Sequence, residues 1–455
     1  MPVSQIVGVE TVAVAQKIRY ASLTDVGIRR SHNQDACAVQ PASDESHFQS
    51  TGHVFVVADG MGGHAVGEKA SAKAVRDIPL TYQKHVASDG PADAIRRAFE
   101  EANAGIFQIG VNNPEFKGLG TTGTALFLRS EGAWIGHVGD SRTYRIRTGK
   151  VEQLTFDHSW VWEIARRQGI DPDELGDFKR NVIIRSLGPE AEVEVDVEGP
   201  HPVEPGDSFL LCSDGLTNHV KPDEIGAVVS VFPAGEACAF LIELANLRGG
   251  SDNITALIVQ VPRGDGNTFG GPPPKPPREL PAFLRWWGRT VPWPLTGLAV
   301  GALLVALSIW LRSESLPGAV PAFSVAAAIT LASVAGLVLQ IRKKSREARA
   351  ADETDDRAIQ VYKEYRFTID RILCDRIVEQ IALAKTAAET GALAVDWDAF
   401  RTTSETAVAK ATAGDWDGAF LSHCLALQII SAPLNKSQQK DEAFKPNWTT
   451  PHRSA

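Results

Sequence analysis

Residues 54–64 (VFVVADGMGGH) place one carboxylate directly after an apolar run of strand length. Residues 54–58 are apolar, Asp59 follows them, and three of the next four residues are glycine. A buried strand that ends in this way holds an acid at a fixed point, and glycines, which lack a β-carbon, let backbone carbonyls and ligands approach it. An ordinary strand–turn–helix corner has the same pattern, so the interpretation depends on the rest of the chain.

Four further aspartates have comparable sequence neighbours, namely Asp35, Asp140, Asp214 and Asp252. Each lies beside an apolar run with small or polar residues around it. Divalent cations such as Mg²⁺ and Mn²⁺ prefer oxygen ligands and are commonly held by a few carboxylates with water. Almost no Cys or His lies among these aspartates, which favours that class of metal over zinc. Each aspartate alone is more often a turn or capping residue, but five in matching positions predict a shared metal site.

Residues 19–262 predict one large mixed domain. Short apolar runs punctuated by Gly, Asp and Asn are typical of strands, and residues 91–109 repeat apolar side chains at helical spacing. Strands outnumber helices and no clear βαβ alternation occurs. We therefore expect an α+β fold with antiparallel sheets flanked by helices, rather than a doubly wound fold.

Charge and cysteine content exclude several classes of protein. The net charge of −9 gives no electrostatic support for nucleic-acid binding. The five cysteines are scattered without C-x-x-C spacing, which argues against a disulfide framework and fits a reducing cytoplasm. Residues 1–17 lack the pattern of a secretory signal and are expected to stay on the mature protein.

Two apolar segments follow the first domain. Residues 263–289 form a Gly/Pro-rich linker and juxtamembrane segment, and residues 290–311 and 315–341 are free of charge. Since about 20 apolar helical residues cross a bilayer, residues 290–341 predict two transmembrane helices. Basic residues on both flanks predict a multi-pass protein of the inner (cell) membrane, with the first domain and the C-terminal tail in the cytoplasm. A buried helical hairpin is the alternative.

Residues 342–434 predict a small cytoplasmic helical module, and residues 435–455 a flexible tail. Asp396 and Asp415 each precede an aromatic stretch and are positioned to cap a helix. No catalytic constellation occurs in this module, so we expect it to bind an unknown partner or to regulate. One face of a long helix is predicted from six residues at helical spacing: Tyr362, Tyr365, Ile369, Leu373, Ile377 and Ile381.

Taken together, the motifs of the first domain resemble a known family. They are Arg30-x-x-Asn33-Gln34-Asp35, Asp59-Gly60-Met61-Gly62-Gly63, Gly120-Thr121-Thr122, Gly139-Asp140-Ser141-Arg142, Ser213-Asp214-Gly215 and Asp252-Asn253. This ordered set is similar to that of the PPM (type 2C) metal-dependent Ser/Thr protein phosphatases, here of a bacterial membrane-anchored type. The resemblance covers residues 19–262, places a phosphatase domain at residues 1–262, and implies an α/β/β/α sandwich with a binuclear metal site at one end.

The resemblance also implies a set of metal ligands. Asp59 corresponds to the carboxylate that bridges two Mn²⁺ or Mg²⁺ ions, and the Gly60 carbonyl to a further ligand. Asp214 and Asp252 are similar to the remaining ligands of the first metal. Asp140 resembles the ligand of a third metal that occurs in bacterial members.

Two more residues complete the catalytic set with Asp59. Asp35 resembles the residue that holds waters at the metals, and Arg30 matches the arginine that binds the substrate phosphate, a task suited to bidentate guanidinium geometry. The chain departs from many members at two positions. Met61 stands where they have a histidine proposed as general acid, and Gln34 where they have an acidic metal ligand.

Residues 159–179 fall where the family has a variable flap over the site. Its Trp160, Trp162, Arg166 and Arg167 are candidates for contact with a phosphopeptide, and packing is an equal alternative. We expect structural roles for His64 and His158.

The expected function is hydrolysis of phosphoserine and phosphothreonine on cytoplasmic proteins, counteracting a Ser/Thr protein kinase that is itself a candidate partner. Two metal ions lower the pKa of a shared water and neutralise charge in an in-line transition state, so no nucleophilic Cys or His is needed. Two alternatives stay open. One is a catalytically weak, membrane-anchored scaffold that binds phosphoproteins, and the other is a stress-response phosphatase acting on an anti-sigma antagonist.

Overall fold

The computed structural model describes residues 5–12, 18–62, 67–175, 182–263, 293–313 and 360–442, together with residues 324, 327, 328, 330 and 333. The chain divides into two compact units. One contains residues 1–271 and 359–455, and the other contains residues 272–358.

The secondary structure of the described residues consists of strands and helices in mixed order. The strands are β1 (Gln5–Val12), β2 (Arg19–Asp25), β3 (Asp35–Gln40), β4 (His53–Met61), β5 (Gly120–Thr121), β6 (Gly123–Arg129), β7 (Gly132–Val138), β8 (Arg142–Arg147), β9 (Lys150–Gln153), β10 (Asp196–His201), β11 (Ser208–Cys212), β12 (Ile254–Gln260) and β13 (Lys363–Arg366). The helices are α1 (Glu45–Thr51), α2 (Gly67–Asp89), α3 (Pro91–Asn112), α4 (Trp160–Gln168), α5 (Asp214–Thr217), α6 (Pro222–Val231), α7 (Ala234–Leu247), α8 (Trp293–Ser313), α9 (Arg371–Thr390), α10 (Trp397–Thr412) and α11 (Trp416–Glu442).

Two antiparallel sheets form the centre of the first unit. The seven-stranded sheet has the order β1-β2-β12-β11-β8-β9-β13, and the other has the order β10-β7-β6-β4-β3 with β5 paired to β4. Side chains from both sheets form one buried cluster, in which Phe55 and Leu126 meet Phe209 and Leu257. The sheets therefore pack face to face, as in other β-sandwiches.

Strand β4 shows why residues 54–58 are apolar without interruption. Val54 and Val56 belong to the cluster that contains Ile78 of α2 and Phe99 of α3, whereas Phe55 belongs to the cluster between the sheets. Successive side chains of a strand point to opposite faces. Both faces of β4 are buried, so both sets of side chains must be apolar.

Helices α6 and α7 cover the outer face of the seven-stranded sheet, and α9–α11 pack on the same side. Leu241 of α7 shares one buried cluster with Ile377 of α9 and with Phe420 and Ile430 of α11. The predicted α/β/β/α sandwich is confirmed. The module predicted at residues 342–434 shares this hydrophobic core with the sandwich over its described part, residues 360–434.

The C-terminal region differs from the predicted long helix at its beginning. Tyr362 and Tyr365 do not lie on a helix, because residues 363–366 form β13 and pair with the free edge of β9. An edge strand offers unpaired backbone groups that a second strand satisfies. Helix α9 begins after Asp370, whose Oδ1 accepts a 3.0 Å hydrogen bond from the Leu373 N–H. The predicted cap at Asp396 is confirmed, since its Oδ1 accepts from the Ala399 N–H at 3.0 Å.

The predicted transmembrane hairpin is wrong. None of the helices in the described part of the chain, α8 included, combines the length and apolar character that crossing a membrane requires. Freedom from charge over residues 290–311 is not a sufficient criterion, because a span needs about 20 predominantly apolar helical residues. The predicted multi-pass membrane localisation is wrong for the same reason. Most of residues 315–341, and nearly all of the predicted linker at 263–289, lie outside the described residues.

Candidate active site

Asp35 and Asp59 lie directly opposite each other in the pair formed by β3 and β4. The backbone of Asp59 is fixed on its other side by Thr122, whose Oγ1 accepts a 2.8 Å hydrogen bond from the Asp59 N–H. The Asp59 carbonyl accepts from the Thr121 hydroxyl at 2.9 Å. Two acids are thus brought together by strand register, and both backbone polar groups of Asp59 have partners.

Gly60 lies where the chain passes closest to its neighbours. A β-carbon at this position would lie 2.3 Å from the Gly67 carbonyl oxygen and 2.6 Å from the Gln34 carbonyl oxygen. The Gly60 N–H donates to that Gln34 carbonyl at 3.1 Å. Only glycine fits between these two backbone segments, which explains why a glycine follows Asp59.

Two hydroxyl groups orient the Asp35 carboxylate. Ser213 Oγ and Thr255 Oγ1 both donate to Asp35 Oδ2 at 2.7 Å, whereas the buried Oδ1 atom has no protein partner. Burial, together with the charges of Asp214 and Asp252, raises the pKa of Asp35 to about 7, although these two hydrogen bonds act against the rise. Asp35 therefore has one anchored oxygen and one oxygen open to a ligand.

Asp59, Asp140 and Asp214 share one region of negative potential. Loss of contact with water, followed by the charges of Asp35, Asp214 and Asp140, raises the pKa of Asp59 well above its usual value. Burial and then the charge of Asp214 do the same for the pKa of Asp140. Burial, followed by the charge of Asp252, raises the pKa of Asp214. The charge of Asp252 acts on Asp35, Asp59 and Asp214, so all five aspartates singled out in the sequence lie in one electrostatic cluster.

Arg30, the predicted phosphate-binding residue, lies at the edge of this cluster. Its Nη2 atom donates to Asp252 Oδ2 at 2.7 Å, and about half of its side chain is exposed (49%). The loop that carries it is held by Asn253, whose Oδ1 accepts from the Gln34 N–H at 2.8 Å and whose Nδ2 donates to the His32 carbonyl at 3.0 Å. The loop is thereby tied to the end of the seven-stranded sheet.

The residues present fit a divalent cation. The donors are oxygen atoms, as Mg²⁺ and Mn²⁺ require. Three carboxylate oxygens are buried without a hydrogen-bond partner, namely Oδ1 of Asp35, Oδ1 of Asp140 and Oδ1 of Asp214. Buried polar atoms normally have a partner, so such atoms in one cluster call for a ligand. Among the described residues, no three acidic, histidine or cysteine side chains lie at the spacing that holds a metal ion, so the fit rests on the type of donor and on these unpartnered oxygens.

The predicted flap begins with α4, which Ser159 precedes as its cap. Trp162 is buried and packs edge-to-face on Phe156 with ring centroids 5.2 Å apart, whereas Trp160 is 45% exposed. Arg166 and Arg167 both pair with Glu163, at 2.6 and 2.7 Å. In this structure Trp162 and both arginines therefore have intramolecular contacts.

Of the two lone histidines, His158 is buried and has a structural role. Its Nδ1 accepts from the Gly139 N–H at 3.0 Å and its Nε2 lies 3.0 Å from Asp196 Oδ2. It thus fixes the turn that carries Asp140. His64 lies outside the described residues.

Ser213 and Thr122 belong to the sequence motifs, but the motifs do not indicate what these residues do, and the sequence gives no sign of a role for Thr255. All three hydroxyls hold an aspartate of the cluster or its backbone. Ser213 and Thr122 are recognisable as small polar neighbours of the motif acids. Thr255 has no such signal, because it reaches Asp35 from the other sheet.

The described geometry can be compared with known proteins. The family model for protein phosphatase 2C matches residues 28–239. Serine/threonine phosphatase stp of Listeria monocytogenes is 36% identical over 242 residues, which cover 52% of this chain and 93% of that protein. Protein phosphatase PhpP of Streptococcus pneumoniae is 35% identical over 253 residues, covering 53% of this chain and 97% of that protein.

Among solved structures, the serine/threonine phosphatase PstP/Ppp of Mycobacterium tuberculosis is similar over 54% of this chain and 99% of its own, with 29% identity and a TM-score of 0.47.

Proposed function

Because this chain belongs to the protein phosphatase 2C family and is a protein serine/threonine phosphatase, we propose that it hydrolyses phosphoserine and phosphothreonine with divalent cations held around Asp59. The observation that supports this mechanism is the convergence of the five aspartates, where burial and neighbouring carboxylate charges raise the pKa of Asp35, Asp59, Asp140 and Asp214. Three of the five have a buried oxygen without a partner.

The proposed ligands are Asp59, the Gly60 carbonyl, Asp214 and Asp252 for two ions, with Asp140 for a third. Phosphatases of this family use Mn²⁺ or Mg²⁺. When bound, such a cation supplies a water of lowered pKa and positive charge that offsets the phosphoryl oxygens. The carboxylates themselves fix the number and position of these charges.

Asp35 and Arg30 act beside this centre. Ser213 and Thr255 fix Oδ2 of Asp35, so the free Oδ1 is held in position to orient a water molecule. Arg30 is half exposed and presents its guanidinium next to Asp252, where it would bind two oxygens of the substrate phosphate. Met61 has no proton to donate, so we infer that the leaving oxygen takes its proton from water.

We infer from this chemistry that the substrates are proteins phosphorylated on Ser or Thr. We also infer that the enzyme counteracts a Ser/Thr protein kinase. Cations held by these carboxylates would supply an activated water, so no covalent intermediate on Cys or His is needed. Specificity for one substrate protein then depends on the surface around the cluster.

The test uses the full chain, Mn²⁺ and a phosphothreonine peptide. We expect Asp59→Asn to lower kcat/KM by about 100-fold or more, corresponding to roughly 3 kcal/mol of transition-state stabilisation. A chelator should abolish the wild-type activity, and Mn²⁺ should restore it. Asp398→Asn is the control, because the Asp398 side chain lies on α10 and is 92% exposed. Activity that survives both the chelator and Asp59→Asn would reject the metal mechanism.

A further inference from the structure

Strand β13 adds a C-terminal segment to the catalytic sheet. It pairs with β9 from Lys363, opposite Gln153, to Arg366, opposite Lys150. The family model ends at residue 239, so β13 lies outside the matched region. This part of the chain adds a strand to the sandwich that the matched residues do not supply.

Three side chains in and beside β13 fix its position. Lys363 Nζ pairs with Asp171 and with Asp173 of the flap, both at 2.7 Å. Tyr362 donates its hydroxyl hydrogen to Glu198. Phe367 packs against Gly226 of α6 so closely that a β-carbon there would lie 2.6 Å from its ring. The strand is therefore held by its sheet, by the flap and by α6.

A cleft of about 820 Å³ lies between β13 and the aspartate cluster. Asp140 and Asp214 line it on the side of the candidate active site, and Glu364, Tyr365 and Arg366 line it on the side of β13. The cleft is thus continuous with the atoms proposed to hold the metal ions. A peptide whose phosphorylated residue enters the cluster can place its neighbouring residues here.

Most acids along this cleft already have a basic partner. These ion pairs are Asp157 with Arg142 at 2.7 Å, Asp173 with Lys363 at 2.7 Å and Asp223 with Arg376 at 2.6 Å. Asp140 and Asp214 are proposed to be neutralised by bound cations. The remaining acid, Glu364, lies 3.0 Å from Lys150 and 3.3 Å from Arg366.

Two basic side chains of the lining are left to act on a ligand. Lys221 is exposed, and the structure shows no acidic partner for its ammonium group among the described residues. Arg366 is 80% exposed and shares Glu364 with Lys150, so its charge is only partly offset. Exposed ion pairs are weak, and a ligand carboxylate can replace Glu364 at little cost.

We propose that this cleft binds the substrate segment next to the phosphorylated residue, and that Lys221 and Arg366 select acidic side chains in that segment. The inference rests on the proposed phosphatase function, since it assigns the residues that flank the phosphate. It makes the C-terminal strand part of the substrate-binding surface.

The experiment compares two phosphothreonine peptides that differ only in carrying acidic or basic residues beside the phosphothreonine. The readout is the ratio of kcat/KM for the acidic peptide over the basic one, in which a general change in activity cancels. The full chain with Mn²⁺ is compared with Arg366→Glu, with Lys221→Glu/Arg366→Glu and with the conservative Arg366→Lys. The matched control is Arg401→Glu, because Arg401 is 68% exposed on α10 and does not line the cleft.

We expect the wild-type ratio to favour the acidic peptide. Arg366→Glu should lower the ratio about fivefold, the double variant should lower it further, and high salt should reduce the wild-type preference. Arg366→Lys and Arg401→Glu should keep the ratio. The proposal would be overturned if the wild type did not prefer the acidic peptide, or if Arg401→Glu lowered the ratio as much as Arg366→Glu.

Binding measurements separate this proposal from the proposed function. Fluorescence anisotropy with non-hydrolysable phosphonate versions of both peptides reports the same charge preference without turnover. If metal-dependent hydrolysis were absent, the proposed function would be rejected. The ratio of the affinities for the acidic and basic peptides, compared between wild type and Arg366→Glu, would still test the proposal for the cleft.

Discussion

The Thr255 hydroxyl donates a 2.7 Å hydrogen bond to Oδ2 of Asp35 across the two sheets of the sandwich. Thr255 belongs to β12 of the seven-stranded sheet, and Asp35 begins β3 of the other sheet. Ser213, which follows β11 of the seven-stranded sheet, donates to the same oxygen. The Asp35 carboxylate is therefore oriented by the opposite sheet, so the candidate site depends on how the two sheets pack.

Replacing Thr255 by valine tests this orientation. Thr255→Val keeps the shape of the side chain and removes the hydroxyl, which leaves Asp35 Oδ2 with one donor. The variant also removes the 2.7 Å hydrogen bond between the Thr255 and Thr24 hydroxyls. We expect kcat to fall about tenfold and the free energy of unfolding to fall by about 1–3 kcal/mol, as for two hydrogen bonds. Steady-state kinetics and urea unfolding measure the two effects. Thr406→Val, on the exposed face of α10, should change neither. An unchanged kcat in Thr255→Val would show that Asp35 needs no such anchor.

Arg30 offers a test of phosphate binding with a control in the adjacent position. Arg30→Lys keeps the positive charge but loses the planar fork that binds two phosphate oxygens at once. We expect the KM for a phosphopeptide to rise about tenfold, with a smaller change in kcat, and the inhibition constant of inorganic phosphate to rise in parallel. Arg29→Lys should stay close to wild type. Equal effects at both positions would mean that general positive charge, not Arg30, attracts the phosphate.

Replacing Gly60 by alanine tests whether close packing of the backbone positions the aspartate cluster. A β-carbon in Gly60→Ala would meet the carbonyl oxygens of Gly67 and Gln34, so strand and helix must move apart. We expect a loss of about 1–3 kcal/mol in the free energy of unfolding, together with weaker Mn²⁺ binding by calorimetry. Gly235→Ala is the control, since the nearest atom to its new β-carbon is 3.9 Å away. Wild-type metal affinity in Gly60→Ala would contradict the proposed role.

The sandwich and its acids were predictable because each has a local signature. The run before Asp59 is apolar on both faces because β4 is buried on both faces, and each of the other four aspartates also lies beside a strand. The structure brings all five into one field of negative charge. Their individual roles as metal ligands stay predictions.

Other features have no such signature. Thr255 reaches Asp35 over 220 positions of sequence, and only the packing of two sheets brings them together. Tyr365 has helical spacing to Ile369 but lies on β13, because the free edge of β9 offers hydrogen bonds that periodicity does not reveal. The transmembrane prediction rested on apolar, uncharged stretches of sequence, whereas no helix in the described part of the chain is long and apolar enough to cross a membrane.

Glu243 links the stability of the molecule to pH. It lies on α7 and faces α11, where the Ser431 hydroxyl donates to its Oε2 at 3.3 Å. Burial raises the pKa of Glu243 from 4.5 to about 7, although hydrogen bonds from Gln428 and Ser431 act against this. Between these two values the unfolded chain has lost the proton that the folded chain keeps. The contribution of Glu243 to the free energy of unfolding is therefore fully present below about pH 4.5 and is lost as the pH rises through about 7.

Glu243→Gln removes this dependence, because the amide stays neutral at every pH. We expect the free energy of unfolding of the wild type to fall between pH 5 and pH 8 by up to about 3 kcal/mol more than that of the variant. Urea unfolding at several pH values measures this difference, and titration of all other groups cancels in the comparison. Glu236→Gln is the control, since Glu236 is exposed on the same helix and should leave the pH dependence unchanged. Parallel pH profiles for wild type and Glu243→Gln would show that the contact between α7 and α11 does not depend on the charge of Glu243.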